Sequence, residues 1–184
     1  MDWFKKMNLP NKLTVLRVLA IPLFLFFLYV TKGVFRFLPL IIFIAAAVTD
    51  AIDGYIARRD NLVTDFGKFM DPLADKLLTA SAFIAFVEMG YMSAWVVVLI
   101  ISREFLVSGF RTLAASKGVT IAANPWGKIK TVFQMILIVV VLFNYTGYFA
   151  FTNGWVNPLV AVVVLLTVTS GATYIYENMN VIRD

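Results

Sequence analysis

The chain has neither cysteine nor histidine among its 184 residues. Thiol catalysis, disulfides, iron–sulfur and haem ligation and the usual zinc sites are thereby excluded. Aspartate is left as the leading candidate for any general base. Charge is scarce too: 15% of residues are charged against 61% hydrophobic, a balance that points to a polytopic membrane protein. No Walker A sequence and no dinucleotide glycine fingerprint occurs, so nucleotide hydrolysis by a P-loop is not supported. Internal repeats and low-complexity tracts are also missing.

What is present is a series of long apolar runs. Segments at about 12–31, 36–57, 68–90, 93–115, 126–148 and 155–177 can each cross a hydrocarbon core of ~30 Å at about 1.5 Å per residue. They predict an all-α integral membrane fold of six transmembrane helices in a single domain, 1–184. Residues 1–10 are expected to form a short interfacial segment, in which Trp3, Phe4, Met7 and Leu9 mix with Lys5 and Lys6. Pro10 is expected to end that segment and Asn11 to cap the first span. The basic start resembles a signal peptide, but the run is too long and lacks a small-residue cleavage pattern, so an uncleaved span is expected. Of the 16 Lys and Arg residues, only Lys32 and Arg36 fall on the side opposite the two termini. The positive-inside rule then places both termini in the cytoplasm. The net charge of +5 reflects topology and attraction to anionic lipid, with no nucleic acid partner implied.

Against that apolar background stand four aspartates. They read Asp50-x-x-Asp53-Gly54-x-x-Ala57-Arg58 and Gly67-x-x-x-Asp71-x-x-x-Asp75. Asp50 and Asp53 are i,i+3 neighbours and Asp71 and Asp75 are i,i+4 neighbours, so each pair shares a helix face. The short Arg58–Gly67 connection makes the two helices an antiparallel hairpin, with the acids at matched depth on the cytoplasmic side. The third helix is expected to run from about Asp65, with Pro72 tolerated near its start. Like charges ~4 Å apart repel by about 4 kcal/mol at an effective dielectric of ~20. A hard divalent site, with two ions, resolves that repulsion. The alternative is a set of ion pairs tying helices together. Gly54, Ala57 and Gly67 leave a notch for a ligand, or serve ordinary small-residue helix packing. Arg58 can form a bidentate pair with a phosphate, or anchor topology by snorkelling.

These eight positions match in full the signature of the CDP-alcohol phosphotransferases, which the chain resembles. The resemblance extends through Asn8-Leu9-Pro10-Asn11-Lys12-Leu13-Thr14, Asn61-Leu62-Val63-Thr64, Lys68-Phe69-Met70-Asp71-Pro72-Leu73-Ala74-Asp75-Lys76, Ser102-Arg103-Glu104-Phe105 and Gly127-Lys128-Ile129-Lys130-Thr131. It is strongest to the bacterial branch whose acceptor is glycerol 3-phosphate. Such a resemblance implies a six-helix, homodimeric enzyme of the bacterial plasma membrane with a cytoplasmic site. Its members move a phosphatidyl group from CDP-diacylglycerol to an alcohol and release CMP. The resemblance also implies two Mg²⁺ or Mn²⁺ ions among Asp50, Asp53, Asp71 and Asp75, with Asp75 as general base. Gly54, Ala57, Arg58 and Gly67 would lie against CDP-diacylglycerol.

The second half is expected to hold the acceptor. Arg103 and Arg111, eight apart, share a face of the fourth helix, and Lys128 and Lys130 open the fifth. Cations at a helix N-terminus are unfavourable unless an anion binds there. The phosphate of glycerol 3-phosphate is the expected anion. The alternatives are that the lysines only mark topology and that Arg103 pairs with Glu104. Asn11, Thr14 and Arg17 are candidates to border the same cavity, although their spacing spreads them beyond one narrow stripe. An inositol phosphate acceptor, an intramembrane prenyltransferase and a cation transporter remain rival readings. Release of CMP separates them.

Overall fold

The computed structural model describes residues 8–59, 65–119, 121, 124–147 and 153–179; within its helices the side chains of 9, 10, 51, 53–58, 65–69, 71, 72 and 153 lie outside the description. The described residues form six α-helices and no strand: α1 Leu9–Val30, α2 Leu38–Arg59, α3 Asp65–Glu88, α4 Ala94–Ser116, α5 Pro125–Thr146 and α6 Asn153–Glu177, with a 3₁₀ turn Gly33–Phe37 between α1 and α2. Among the described residues, four stretches are long and apolar enough to cross a membrane: Asn11–Val30, Gly33–Asp50, Pro125–Thr146 and Gly154–Glu177. α3 and α4 are equally long but carry the polar groups. Lys68, Asp71, Asp75 and Lys76 interrupt α3, and Arg103, Glu104 and Arg111 interrupt α4. Ionisable groups placed so are costly in lipid and mark function.

The chain divides into two compact units, Met1–Ala85 with Leu142–Phe149 and Phe86–Val141 with Ala150–Asp184. In the first, α1 packs along α2. Phe24 and Leu28 of α1 and Leu40, Phe43 and Ala46 of α2 are buried, and the rings of Phe24 and Phe43 lie 6.0 Å apart. Leu16, Leu19, Leu23 and Phe26 remain exposed. Lipid is as apolar as leucine, so this packing rests on van der Waals fit more than on the hydrophobic effect. The start of α1 differs from expectation. Asn8 is its extended N-cap residue, and Lys12 N–H donates to Asn8 O at 3.1 Å. Pro10 sits in the first turn, where a missing N–H has no intrahelical partner to lose. Asn11 is therefore not the cap but a buried residue inside the helix. The other end of α1 is tied down by Tyr145 of α5, whose hydroxyl donates to Leu28 O at 2.6 Å. The Arg36 guanidinium lies 5.5 Å from the same ring, a cation–π distance.

In the second unit α4 packs on α6. The preceding turn is a Schellman motif: Gly90 N–H donates to Val87 O at 3.0 Å and Tyr91 N–H to Phe86 O at 2.9 Å. Gly90 takes φ +77°, and the Phe86 and Tyr91 rings meet edge to face, the apolar contact that accompanies this cap. α4 ends the same way at Gly118, with Val119 N–H donating to Ala114 O at 2.9 Å. α5 begins under a side-chain cap, Trp126 N–H donating to Asn124 Oδ1 at 2.9 Å. Val97, Ile100 and Val107 of α4, Leu137 and Ile138 of α5, and Val156 and Val163 of α6 form the core.

Candidate active site

The first unit carries the aspartate motifs. Asp50 lies near the C-terminal end of α2, and α3 begins at Asp65, so the Gly67/Asp71/Asp75 register falls on one continuous helix as expected. The turn of the anticipated hairpin, 60–64, lies outside the described residues, as do the side chains of Asp53, Gly54, Ala57, Arg58, Gly67 and Asp71. Asp75 is described and half-buried. No group of three or more acids that could hold a metal occurs among the described residues. Asp50 has a partner that the motif does not announce: Arg17 NH1 stands 2.5 Å from its Oδ1. The Arg17 side chain is 1% exposed and that of Asp50 37%. Such a pair steers the Asp50 carboxylate from the neighbouring helix.

Arg17 does not stand alone on α1. Asn11 and Thr14 are buried with it. Their i, i+3, i+6 spacing spreads them over an arc of about 120° at 3.6 residues per turn, and the buried face of α1 is wide enough to take all three. As to metal, the four motif acids offer hard oxygen donors that suit Mg²⁺ or Mn²⁺ and would reject softer ions. The donor set fits.

The cations assigned to the acceptor belong to the second unit, where α4, α5 and α6 contribute. Lys130 is wholly buried, and its Nζ donates to Glu104 Oε1. Arg103 NH1 reaches the same oxygen at 3.4 Å, so Glu104 gathers both cations. Arg103 also crosses two glycines. A Cβ at Gly171 of α6 would stand 3.2 Å from Arg103 Cγ, and one at Gly127 would stand 3.4 Å from NH2. Arg103 Nε is buried without a hydrogen-bond partner. Arg111 takes a different post: its guanidinium lies 5.9 Å from the ring of Tyr174, which meets Phe110 edge to face. Lys128 is exposed.

Three residues escaped the sequence reading. Glu104 was weighed only as a partner for Arg103, and its link to Lys130 crosses 26 positions. Gly171 and Tyr174 sit in a last span whose interior, from Pro158 to Tyr176, is wholly apolar or hydroxylic. The only signal there was a glycine three residues before a tyrosine.

A family model described as CDP-alcohol phosphatidyltransferase matches residues 7–170. A Bacillus subtilis protein named CDP-diacylglycerol–glycerol-3-phosphate 3-phosphatidyltransferase is 39% identical over 96% of this chain and 97% of its own length. A Rickettsia bellii protein of the same name is 36% identical, covering 91% of this chain and 93% of its own. One from Haemophilus influenzae, again of that name, is 38% identical over 78% and 80%. With the complete aspartate signature on α2 and α3, a matching domain model and these relatives, the chain belongs to the CDP-alcohol phosphatidyltransferase family.

Proposed function

We propose that this protein transfers the phosphatidyl group of CDP-diacylglycerol to glycerol 3-phosphate, giving phosphatidylglycerophosphate and CMP. The observation that carries the reading is the agreement in name of two near-full-length relatives on that activity in a chain that retains all eight signature positions. Family membership sets aside the prenyltransferase and transporter readings.

Asp75 takes the proton of the acceptor hydroxyl. The freed oxygen attacks the phosphorus that bears diacylglycerol, a new P–O bond forms, and the bond to the CMP phosphate breaks. Asp50, Asp53, Asp71 and Asp75 would hold the divalent ions, which neutralise diphosphate charge and stabilise the departing CMP when bound. Arg17 holds Asp50 in place for that task. Gly54, Ala57 and Gly67 leave room for the cytidine diphosphate group, and Arg58 pairs with its phosphate. Arg103, Arg111, Lys128 and Lys130 recognise the acceptor's phosphate, as cations on α4 and at the start of α5. Six spans, a bacterial plasma-membrane location with both termini and the site in the cytoplasm, and a homodimer complete the proposal.

Purified protein given CDP-diacylglycerol, Mg²⁺ and a panel of glycerol 3-phosphate, inositol phosphate, glycerol and inositol tests it. CMP should appear with glycerol 3-phosphate and hardly at all with the unphosphorylated alcohols. Comparable CMP release from glycerol or free inositol refutes the acceptor assignment.

A further inference from the structure

Tyr174 is a tyrosine only 1% exposed, and its hydroxyl has no hydrogen-bond partner among the described residues. Native proteins leave few buried polar atoms unpaired, and those they leave often meet a ligand. A tyrosine with no polar task would be more stable as phenylalanine, because an unpaired hydroxyl forfeits its water. Tyr174 is also a wall of a cleft of about 390 Å³, shared with Asn124, Trp126 and Glu177, where the start of α5 meets the end of α6. That volume is within the range of small-molecule sites.

The surroundings point to an anion. Gly171 and Tyr174, i and i+3, lie on one face of α6. Arg103 lies across Gly171 and Arg111 over the Tyr174 ring. Arg103 Nε, like the Tyr174 hydroxyl, is buried and unpartnered. Two donors without a hydrogen-bond partner among the described residues thus lie with a second guanidinium beside one helix face; Glu104 is engaged with Arg103 NH1 and Lys130, and Glu177, the acid of the cleft, accepts from Asn124 Nδ2 at 3.2 Å.

We propose that the Tyr174 hydroxyl donates a hydrogen bond to the phosphate of the acceptor, completing a recognition face with Arg103 and Arg111; this rests on the acceptor assignment above. Gly171 belongs to the same device as a positioning residue. Its missing side chain is the space through which Arg103 extends.

Tyr174→Phe is the test, because it keeps the ring under Arg111 and beside Phe110 and removes only the hydroxyl. In full-length enzyme, the KM for glycerol 3-phosphate should rise about tenfold or more, the scale of a lost charge-assisted hydrogen bond. The KM for CDP-diacylglycerol should stay unchanged, and Tm should hold or rise. Gly171→Ala should raise the same KM by crowding Arg103, and it keeps the proposal testable if the first variant misfolds. Should wild-type enzyme turn over glycerol 3-phosphate while both variants keep its KM within twofold, this inference alone falls. A Tm lowered by Tyr174→Phe with unaltered kinetics assigns the hydroxyl to a structural water and overturns it as well. Wild-type turnover of unphosphorylated alcohols in preference removes the acceptor assignment, and this inference with it.

Discussion

Replacing Glu104 with leucine should strip the buried Lys130 ammonium of the carboxylate to which it donates. Lys130 is fully buried, while the Glu104 side chain is 20% exposed and that of Arg103 12%. Removing one member of a buried ion pair typically costs about 3–5 kcal/mol, since the other charge stays in a poorly polarisable site. The partial exposure of Glu104 argues for the lower end, about 3 kcal/mol. For a chain of this size ~1 kcal/mol corresponds to about 2–4 °C in Tm, so the fall should be roughly 6–12 °C. Leucine fills a similar volume, so little of that loss comes from a cavity.

If Lys130 and Arg103 are there to receive a phosphate, an added anion should replace the missing counter-charge. Inorganic phosphate or glycerol 3-phosphate should therefore raise the Tm of the Glu104→Leu variant by more than that of wild type. At about 100 times its Kd a ligand contributes roughly 2.7 kcal/mol, enough to recover most of the fall. Chloride at equal ionic strength should not. The double variant Glu104→Leu, Lys130→Met removes both charges; it should regain most of the stability and lose the differential response to phosphate. Thermal unfolding in one detergent, with and without each anion, reads all of this. A single variant within ~1 kcal/mol of wild type, or equal phosphate shifts in variant and wild type, refutes the reasoning.

Two further outcomes are expected. Asp75→Asn should lower kcat by about 10²-fold or more, the contribution of a positioned base, while binding of CDP-diacylglycerol measured by calorimetry is largely retained; near-normal CMP release from the folded variant removes the base assignment. Gly90→Ala should destabilise by roughly 1–2 kcal/mol in thermal unfolding, because φ +77° strains an L-residue although no atom lies within 4 Å of the added Cβ; an unchanged Tm contradicts the Schellman cap as a stabilising element.

The helices were legible because long apolar runs permit few alternatives. Backbone groups in such a run bond within the segment, and the six described helices lie within a few residues of the runs read from sequence, although only four described stretches are long and apolar enough to cross a membrane. The misplaced boundary is instructive. Pro10 was read as a break, yet proline suits the first turn of a helix, and Asn8 rather than Asn11 became the cap. The start of α3 was legible for the opposite reason. The one-turn spacing of Gly67, Asp71 and Asp75 requires a helix that already exists before Pro72.

The aspartates were legible because a charge in an apolar run has no bland neighbour to hide among. Their partners were not, because pairing across helices is a property of packing and not of spacing. Arg17 and Asp50 are 33 positions apart, and each looks ordinary alone, one a positive-inside marker and the other a motif acid. Tyr174 was less visible still, since an aromatic residue in a membrane helix carries no signal until its hydroxyl is seen to lack a partner. The same physics governs both halves of the chain. Arg17 is paired with Asp50, and Glu104 with Lys130 and Arg103. In each case one opposite charge offsets part of the unfavourable burial. Removing such a counter-ion should therefore lower stability, and at Glu104 it should raise the share of that stability which an added phosphate restores.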